Sequence, residues 1–231
     1  MNTFPVPVSA APAAVSSDLM TARSELAAGS AVVLGNPAPL AWVVAATDPR
    51  VVNSAKGRPL EQSVALWVHT AETVDAVIDL CAVVDRPLVD HLLVEERATV
   101  LLPVRPGAAI PQWMAPAHRD GWVLLFGSRW PGTSAVLDGH RVVYVSSANR
   151  TGSAAAVDMG SARSMFGESV CIHDCGAGAQ VTDVNRRSTT TVRVQPDGQL
   201  TLHRPGAQDG RWPDPQSYLD HLRTAYRAKP T

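Results

Sequence analysis

Short apolar runs rich in β-branched residues, separated by stretches that contain glycine, proline, asparagine or aspartate, recur along most of this chain. Such runs are typical of buried strands, because a strand needs only about four to eight residues. A Pro-Asp-Gly sequence at 196–198 joins the last two runs and predicts a β-hairpin. The predicted strands are 31–34, 41–46, 63–68, 99–104, 122–127, 141–146, 169–172, 189–194 and 199–204. These runs constrain the chain to a fold built around a large sheet.

Fewer segments have the spacing or the caps of helices. Thr70 and Asp214 suit helix starts, because their side-chain oxygens can accept hydrogen bonds from free backbone N–H groups. The predicted helices are 18–28, a segment that begins at Thr70, 154–166 and 214–227. The segment 105–119 is proline-rich and predicts a loop. The sequence therefore predicts a single α/β domain with many strands and few helices. The predicted division is a disordered Ala/Pro/Ser-rich tail over 1–16, the domain over 17–208 and a C-terminal extension with a helix over 209–231.

The composition is that of an ordinary globular protein. The chain has 231 residues, of which 45% are apolar and 18% charged, and its net charge is −1. That balance argues against a dominant nucleic-acid footprint. Three cysteines do not suggest a disulfide framework, and no stretch approaches the roughly 18 apolar residues of a membrane span. We expect a cytoplasmic protein without a membrane partner.

The sequence VSSANRTG (145–152) is the first candidate site, because an apolar strand runs directly into small hydrogen-bonding residues. Ser147 offers a hydroxyl and Asn149 an amide, each able to donate and accept, and Gly152 lets the backbone approach a ligand. The alternative is a turn in which Asn149 bonds its own backbone.

Lys56 and Arg58, on either side of a glycine, are the second candidate site. In an extended segment they would point to the same side and suit a phosphate or carboxylate. The alternative is a solvated basic loop. The third candidate is Arg-Arg-Ser-Thr-Thr-Thr (186–191), which contains Ser188, with Arg-Pro-Gly (204–206), which begins at Arg204, across the predicted hairpin. Its hydroxyls and guanidinium groups could hold phosphate, and the alternative is a threonine-rich edge strand.

The sequence CIHDC (171–175) suggests a metal site, but a second ligand pair is absent from the spacing. Its cysteines and histidine would share one face of a strand, and we expect no metal there.

The order of these motifs resembles the YrdC family, the threonylcarbamoyl-AMP synthases that serve tRNA modification. The resemblance runs from about residue 20 to Gln208. Its parts are Lys-Gly-Arg-Pro (56–59), Arg-Trp-Pro (129–131), Ser-Ala-Asn-x-x-Gly (147–152), Ser-Thr (188–189) and Arg-Pro-Gly-Ala (204–207). It implies a YrdC-like domain, a twisted mixed sheet with flanking helices around a positively charged cleft.

The resemblance also implies an activity. Family members are nucleotidyltransferases that join bicarbonate, an amino acid and ATP into a carbamoyl adenylate and release pyrophosphate, with Mg²⁺ expected on the phosphates. By resemblance, Lys56 and Arg58 hold the carboxylated amine and the phosphates, and Ser147 and Asn149 orient the acyl and phosphate oxygens. Ser188 and Arg204 clasp the nucleotide. Trp42 and Arg129 shape the substrate pocket.

The stretch 37–43 departs from the family pattern. Where the family has Pro-Thr-x-Thr-x-Tyr-Gly, this chain has Pro-Ala-Pro-Leu-Ala-Trp-Val, so that both threonine hydroxyls are lost and Trp42 keeps an aromatic ring. Gln62 and Ser63 replace a basic residue and a proline. A pocket without those hydroxyls favours an amine other than threonine, as in a biosynthetic paralogue.

Three readings of the function remain open at this point. The first is the carbamoyl-adenylate synthase. The second is a non-catalytic module of the same fold that binds nucleotide or double-stranded RNA. The third, an extension of the first, is a subunit that supplies its adenylate to a separate carbamoyltransferase.

Overall fold

A mixed sheet forms the centre of the molecule. The structure, a computed structural model, describes residues 17–82, 85–127, 130–176 and 185–227. The ten strands found in these ranges are β1 (Val32–Leu34), β2 (Val43–Ala46), β3 (Ala65–Trp67), β4 (Thr99–Pro103), β5 (His118–Arg119), β6 (Trp122–Phe126), β7 (Tyr144–Ser147), β8 (Cys171–His173), β9 (Thr191–Val194) and β10 (Leu200–Arg204). Their order is β10-β9-β4-β6-β3-β7-β2-β1-β8, with β5 paired to β6. The β1–β8, β3–β6 and β4–β9 pairs are parallel, and the other pairs are antiparallel.

Helices pack on both faces of this sheet. The α-helices are α1 (Ser17–Ala27), α2 (Pro49–Ala55), α3 (Ala71–Ile78), α4 (Arg86–Asp90), α5 (Pro131–Leu137), α6 (Met159–Phe166) and α7 (Pro215–Arg227). A π-helical turn, His91–Glu95, continues α4, and short 3₁₀ turns lie at Ala115–Ala117, Gly167–Ser169 and Asp209–Arg211. In the described part of the chain, no helix is both long and apolar enough to cross a membrane.

The alternation of side chains along the strands divides the core in two. One face of the sheet, with residues such as Val44, Leu66 and Leu125, packs under the larger cluster, which includes residues of α2, α3, α6 and α7. The opposite face packs against α1 and α5 at the end of the sheet formed by β3, β7, β2, β1 and β8, with Phe126 of β6 at the border of this smaller cluster. The rest of that second face, on β4, β6 and β9, carries the cavities described below.

The predicted single α/β domain and mixed sheet are confirmed. Each predicted strand overlaps an observed one, with ends shifted by up to three residues, and Thr70 accepts a hydrogen bond from the backbone N–H of Thr73 as the cap of α3. The expectation of few helices was wrong. Short helices α2, α4 and α5 were not predicted, and 105–119 ends in the short strand β5. The predicted disordered tail, 1–16, lies outside the described residues.

The predicted C-terminal helix is α7, and Asp214 caps it by accepting from the backbone N–H of Ser217 at 2.8 Å. Tyr218, Leu219 and Leu222 are buried in the larger core cluster. This helix therefore packs on the same core as the sheet.

Candidate functional site

Lys56 lies at the end of a helix rather than in an extended segment. Asp48 caps α2 by accepting from the backbone N–H of Arg50 at 2.8 Å, and Pro49 follows it as the first helical residue. The helix ends at Ala55, and Lys56 still has helical backbone angles. The expectation of an extended segment, in which Lys56 and Arg58 point to the same side, was wrong because Asp-Pro is a strong helix start.

The Lys56 ammonium group joins α2 to the loop after β7. Its Nζ donates to the backbone oxygens of Ser147 and Asn149, the latter at 2.9 Å, and to Asn149 Oδ1 at 2.8 Å. Three acceptors match the three N–H bonds of an ammonium group. Lys56 is only 3% exposed, and its burial, with the nearby Arg58 and Arg204, lowers the pKa of its amine to about 7. Lys56 and Asn149, 93 residues apart, thus meet in one place.

The Ser147–Asn149 segment is both a turn and part of the site. Ser147 Oγ donates to Asn149 Oδ1 at 2.6 Å, and Asn149 Nδ2 donates to the backbone oxygens of Arg150 and Ser153 at 3.1 and 3.0 Å. The alternative reading, a turn that bonds its own backbone, therefore describes the Asn149 amide correctly. Ser147 differs from Asn149, because it also lines a cavity.

That cavity, of about 250 Å³, is the candidate site, and we call it the first cavity. Arg58, Ser147, Ser188 and Arg204 all line it. Its other lining residues are Ala41, Trp42, Val43, Gln62, Ser63, Val64, Ala65, Thr99, Leu124, Phe126, Val145, Ser146 and Thr189. No carboxylate is among these described lining residues, so that an anion in the cavity would face two arginines and no opposing charge.

Arg58 is held in place at one nitrogen and free at another. Its Nε donates to Asn53 Oδ1 at 2.6 Å, while Asn53 Nδ2 donates to the backbone oxygens of Leu60 and Gln62, both at 2.7 Å. Arg58 Nη2 is buried and has no hydrogen-bond partner among the described residues. Since a buried donor without a partner is costly, a ligand oxygen is the natural partner for this nitrogen.

The segment around Ser188 and the loop after β10 lie in close contact. Arg204 Nη2 donates to the backbone oxygen of Thr189 at 3.2 Å, and the Ala207 N–H donates to the Ser188 oxygen at 2.9 Å. A Cβ on Gly206 would lie 2.3 Å from the Thr190 nitrogen, so that only glycine permits this approach. The Arg-Pro-Gly-Ala segment thus places Arg204 beside Ser188.

Sequence reasoning missed the polar contacts that fix this approach. Gln208 Oε1 accepts from the Thr190 N–H at 2.8 Å, and Asp209 Oδ1 accepts from Thr190 Oγ1 at 2.5 Å and from the Gly206 N–H at 2.6 Å. Thr99 was also missed as a lining residue, and its hydroxyl oxygen lies 2.5 Å from that of Thr189, which belongs to the predicted third site. The alternation of side chains along the predicted strand was the only signal that could have indicated Thr99.

Trp42 forms part of the cavity wall and of the core. It is 1% exposed, and its Nε1 has no hydrogen-bond partner among the described residues. Its backbone bonds to Ala148 and Ala156, which fixes it beside the Ser-Ala-Asn segment. Arg129 lies outside the described residues, and its predicted role stays a prediction. Lys56 and Asn149 lie beside the cavity rather than among its lining residues.

The Cys-Ile-His-Asp-Cys segment does not keep both cysteines and the histidine on one strand, contrary to expectation. Cys171 and His173 lie on β8, whereas Cys175 follows it in the left-handed backbone region at φ 54°. In the described ranges, no group of three His, Cys, Asp or Glu residues is placed to hold a metal ion.

The comparisons with known proteins place this geometry in a known fold. At the level of sequence, no family model and no curated protein matches the chain. Among solved structures, P. abyssi Sua5 complexed with L-threonine aligns at a TM-score of 0.59 and 18% identity, covering 81% of this chain and 54% of that one. HypF in a phosphate- and nucleotide-bound form aligns at 0.61 and 13% identity, covering 86% and 25%. E. coli YciO aligns at a TM-score of 0.56 and 14% identity, covering 84% of this chain and 91% of that one.

These similarities are similarities of fold, because the identities are low. The chain spans about half the length of Sua5 and a quarter of HypF. The fold expected from the motif order is confirmed: the chain has the YrdC-like fold shared by Sua5 and YciO.

Proposed function

We propose that the protein is a nucleotidyltransferase that makes a carbamoyl adenylate from bicarbonate, an amine and ATP, with release of pyrophosphate. The observation that carries the proposal is the convergence of Arg58 and Arg204 with Ser147 and Ser188 in one cavity that no described carboxylate lines. Sua5 complexed with L-threonine and nucleotide-bound HypF support it at the level of fold.

The reaction brings two anions together. The amine and bicarbonate give a carbamate with loss of water. A carbamate oxygen then forms a bond to the α-phosphorus of ATP, and the bond from that phosphorus to the bridging oxygen breaks, so that pyrophosphate leaves with the electron pair. Cations must offset the charge that meets at the α-phosphate. The free Nη2 of Arg58 and the Arg204 guanidinium are suited to that role, and Ser147 and Ser188 would orient the oxygens.

Lys56 acts in this proposal mainly by position. Its ammonium group already bonds to three protein oxygens and holds the end of β7 against α2. Because the pKa of Lys56 is about 7, a phosphate bound nearby would raise that pKa and keep the ammonium charged. Asn149 shares this role, since its amide is used by the turn and by Lys56.

One part of the first cavity has an apolar wall, and we assign the amine to that part. Trp42, Val43, Ala65, Phe126 and Val145 supply the apolar part of the cavity wall. The stretch 37–43 offers no side-chain hydroxyl. A wall of this kind favours an amine with an apolar side chain, because a polar side chain would lose its hydrogen bonds with water there.

Mg²⁺ fits the proposal as a companion of the substrate. Hydroxyls and arginines line the first cavity, and the described residues supply no carboxylate to it. Mg²⁺ usually keeps several waters and binds through phosphates with one or two carboxylates. We therefore expect the ion to be held by the phosphates of ATP, where it offsets part of their charge.

The test is pyrophosphate release from ATP and bicarbonate with a panel of amines that includes threonine, valine and simple alkylamines. The proposal predicts release that depends on bicarbonate and on the amine, with apolar amines preferred over threonine. An enzyme that binds ATP but releases no pyrophosphate with any amine would refute it.

The adenylate-supplying role is an extension of this proposal. A separate carbamoyltransferase would then accept the adenylate. Adding such a partner should increase product formation without changing the dependence on amine. The non-catalytic module predicts ATP binding, or salt-sensitive RNA binding, without turnover.

A further inference from the structure

A second cavity, of about 260 Å³, adjoins the first. It shares Ser63, Leu124 and Arg204 with the first cavity. Beyond these shared residues it is lined by Leu101, Ala117, Arg119, Asp120, Trp122, Thr191, Arg193 and His203. None of its charged residues belongs to a motif that sequence reasoning singled out, except Arg204.

The two cavities are successive sections of one open strip of the sheet. On β6, Val123 and Leu125 point into the larger core cluster. The alternate residues face the cavities: Phe126 lines the first, Trp122 lines the second and Leu124 lines both. Side chains on one face of a strand are about 6.6 Å apart along it. The strip therefore continues from the first cavity into the second over about two such steps.

Strand β9 and the residues just before it follow the same course. Thr189 lines the first cavity, and Thr191 and Arg193 line the second, whereas Val192 and Val194 are buried in the core cluster. A ligand that extends beyond Arg204 along the strip would therefore reach Arg193.

Arg193 is held in a fixed orientation with one donor unused. Its guanidinium carbon lies 4.4 Å from the centre of the Trp122 ring, and its Nη2 lies 3.3 Å from Nδ1 of His203. Burial, with the nearby Arg193 and Arg204, lowers the pKa of His203, so that a neutral ring can accept at Nδ1 and donate at Nε2. Arg193 Nε is buried and has no hydrogen-bond partner among the described residues.

The charges around the second cavity are mainly positive. Arg119, Arg193 and Arg204 line it, and Asp120 is the opposing carboxylate. Arg119 Nε lies 3.4 Å from Asp120 Oδ2, in a pair whose side chains are 76% and 85% exposed. That pair leaves Arg193 and Arg204 as the cations available to a ligand, and a planar guanidinium fork suits phosphate oxygens.

We propose that the second cavity binds the terminal diphosphate of a nucleoside triphosphate. Arg193, which Trp122 and His203 hold in position, donates to the oxygens of that diphosphate. This inference rests on the proposed function, since it takes the α-phosphate to lie by Arg58 and Arg204 in the first cavity. The pyrophosphate released in the reaction would then lie in the second cavity. Arg193 is then a specificity residue that distinguishes ATP from AMP.

The test compares ATP, AMP and inorganic pyrophosphate as ligands by titration calorimetry. Wild type should bind pyrophosphate, and Arg193→Gln should weaken ATP and pyrophosphate binding by about tenfold or more while AMP affinity changes less than twofold. Arg193→Lys keeps the positive charge but loses the planar guanidinium fork, so its affinity for ATP and pyrophosphate should lie between those of wild type and Arg193→Gln. The control is Arg163→Gln, which removes an exposed arginine of α6 that lines neither cavity.

Three results would overturn the inference: no pyrophosphate binding by wild type, unchanged ATP affinity in both Arg193 variants, or an equal loss of ATP and AMP affinity. Thermal melts of each variant show whether it is folded, and Arg193→Lys carries the test if the glutamine variant is not. The failure of this inference can be distinguished from the failure of the proposed function. Pyrophosphate binding that depends on Arg193, without turnover on any amine, would keep the second-cavity assignment and refute the proposed function. Turnover that is the same in wild type and Arg193→Gln would keep the proposed function and refute the second-cavity assignment.

Discussion

Lys56 is a buried ammonium group whose charge is balanced by dipoles rather than by a carboxylate. It donates to three oxygens of the Ser147–Asn149 segment, and its burial, with Arg58 and Arg204 nearby, lowers its pKa. A cation in such a place loses hydration and gains hydrogen bonds, so that its protonation is sensitive to pH and to a bound anion.

The pH dependence of stability should report this lysine. The folded chain releases the Lys56 proton near pH 7, whereas the unfolded chain holds it to about 10.5. Between these values the unfolded state binds more protons, so the free energy of unfolding contributed by Lys56 rises with pH. In urea unfolding, the free energy of unfolding of wild type minus that of Lys56→Met should rise by up to about 1.4 kcal/mol per pH unit between those pH values. If that difference stays flat or falls as the pH rises, the assignment is contradicted.

Gly206 should be the least replaceable glycine near the site. A Cβ there would approach backbone atoms of Ser188, Thr189 and Thr190 at 2.3–2.5 Å, and backbone cannot move aside cheaply. We expect Gly206→Ala to lower the free energy of unfolding by about 2–3 kcal/mol in urea titrations. Gly160→Ala is the control, because its Cβ would meet only Asp158 Oδ1, at 3.5 Å, and Gly160 is an exposed position of α6. Equal stabilities of the two variants would show that the Gly206 contact is not close.

At the scale of elements, α2 decides where Lys56 lies. The helix has seven residues, and Asp48 and Pro49 begin it. A segment this short depends on its cap and on packing, since isolated short helices are marginal in water. The same reason explains why periodicity did not predict α2 or α5, each of seven residues, although Asp48-Pro49 was a readable start signal.

Removing the α2 cap should therefore cost stability. Asp48→Ala removes the acceptor of the Arg50 N–H and should lower the free energy of unfolding by about 1 kcal/mol, measured by thermal or urea unfolding. Asp138→Ala is a suitable control, because that exposed carboxylate lies 3.9 Å from Arg23 in a pair of exposed side chains. We expect it to stay within about 0.5 kcal/mol of wild type, as exposed ion pairs usually do. Equal losses in the two variants would mean that the cap contributes nothing specific.

At the scale of the whole molecule, the sequence predicted the sheet better than it predicted the site. Apolar runs identify strands because they are local patterns, and the order of the motifs along the chain indicated the fold by resemblance. Arg58 and Arg204 lie far apart in the sequence, and only the resemblance to the YrdC family predicted that they share a site. Arg193 and Trp122 could not be found in that way, because their roles depend on which face of the sheet the α1 and α5 helices leave open.

The most direct test of the central claim is a double-mutant cycle on ATP binding with Arg58→Gln and Arg204→Gln. If both arginines face one phosphate group, each variant should bind ATP about tenfold or more weakly, and the double variant should lose less than the product of the two losses. Arg50→Gln, at an exposed site on α2, should bind as wild type does. ATP affinity that is unchanged in both single variants, or losses that multiply independently, would contradict a shared anion-binding cavity.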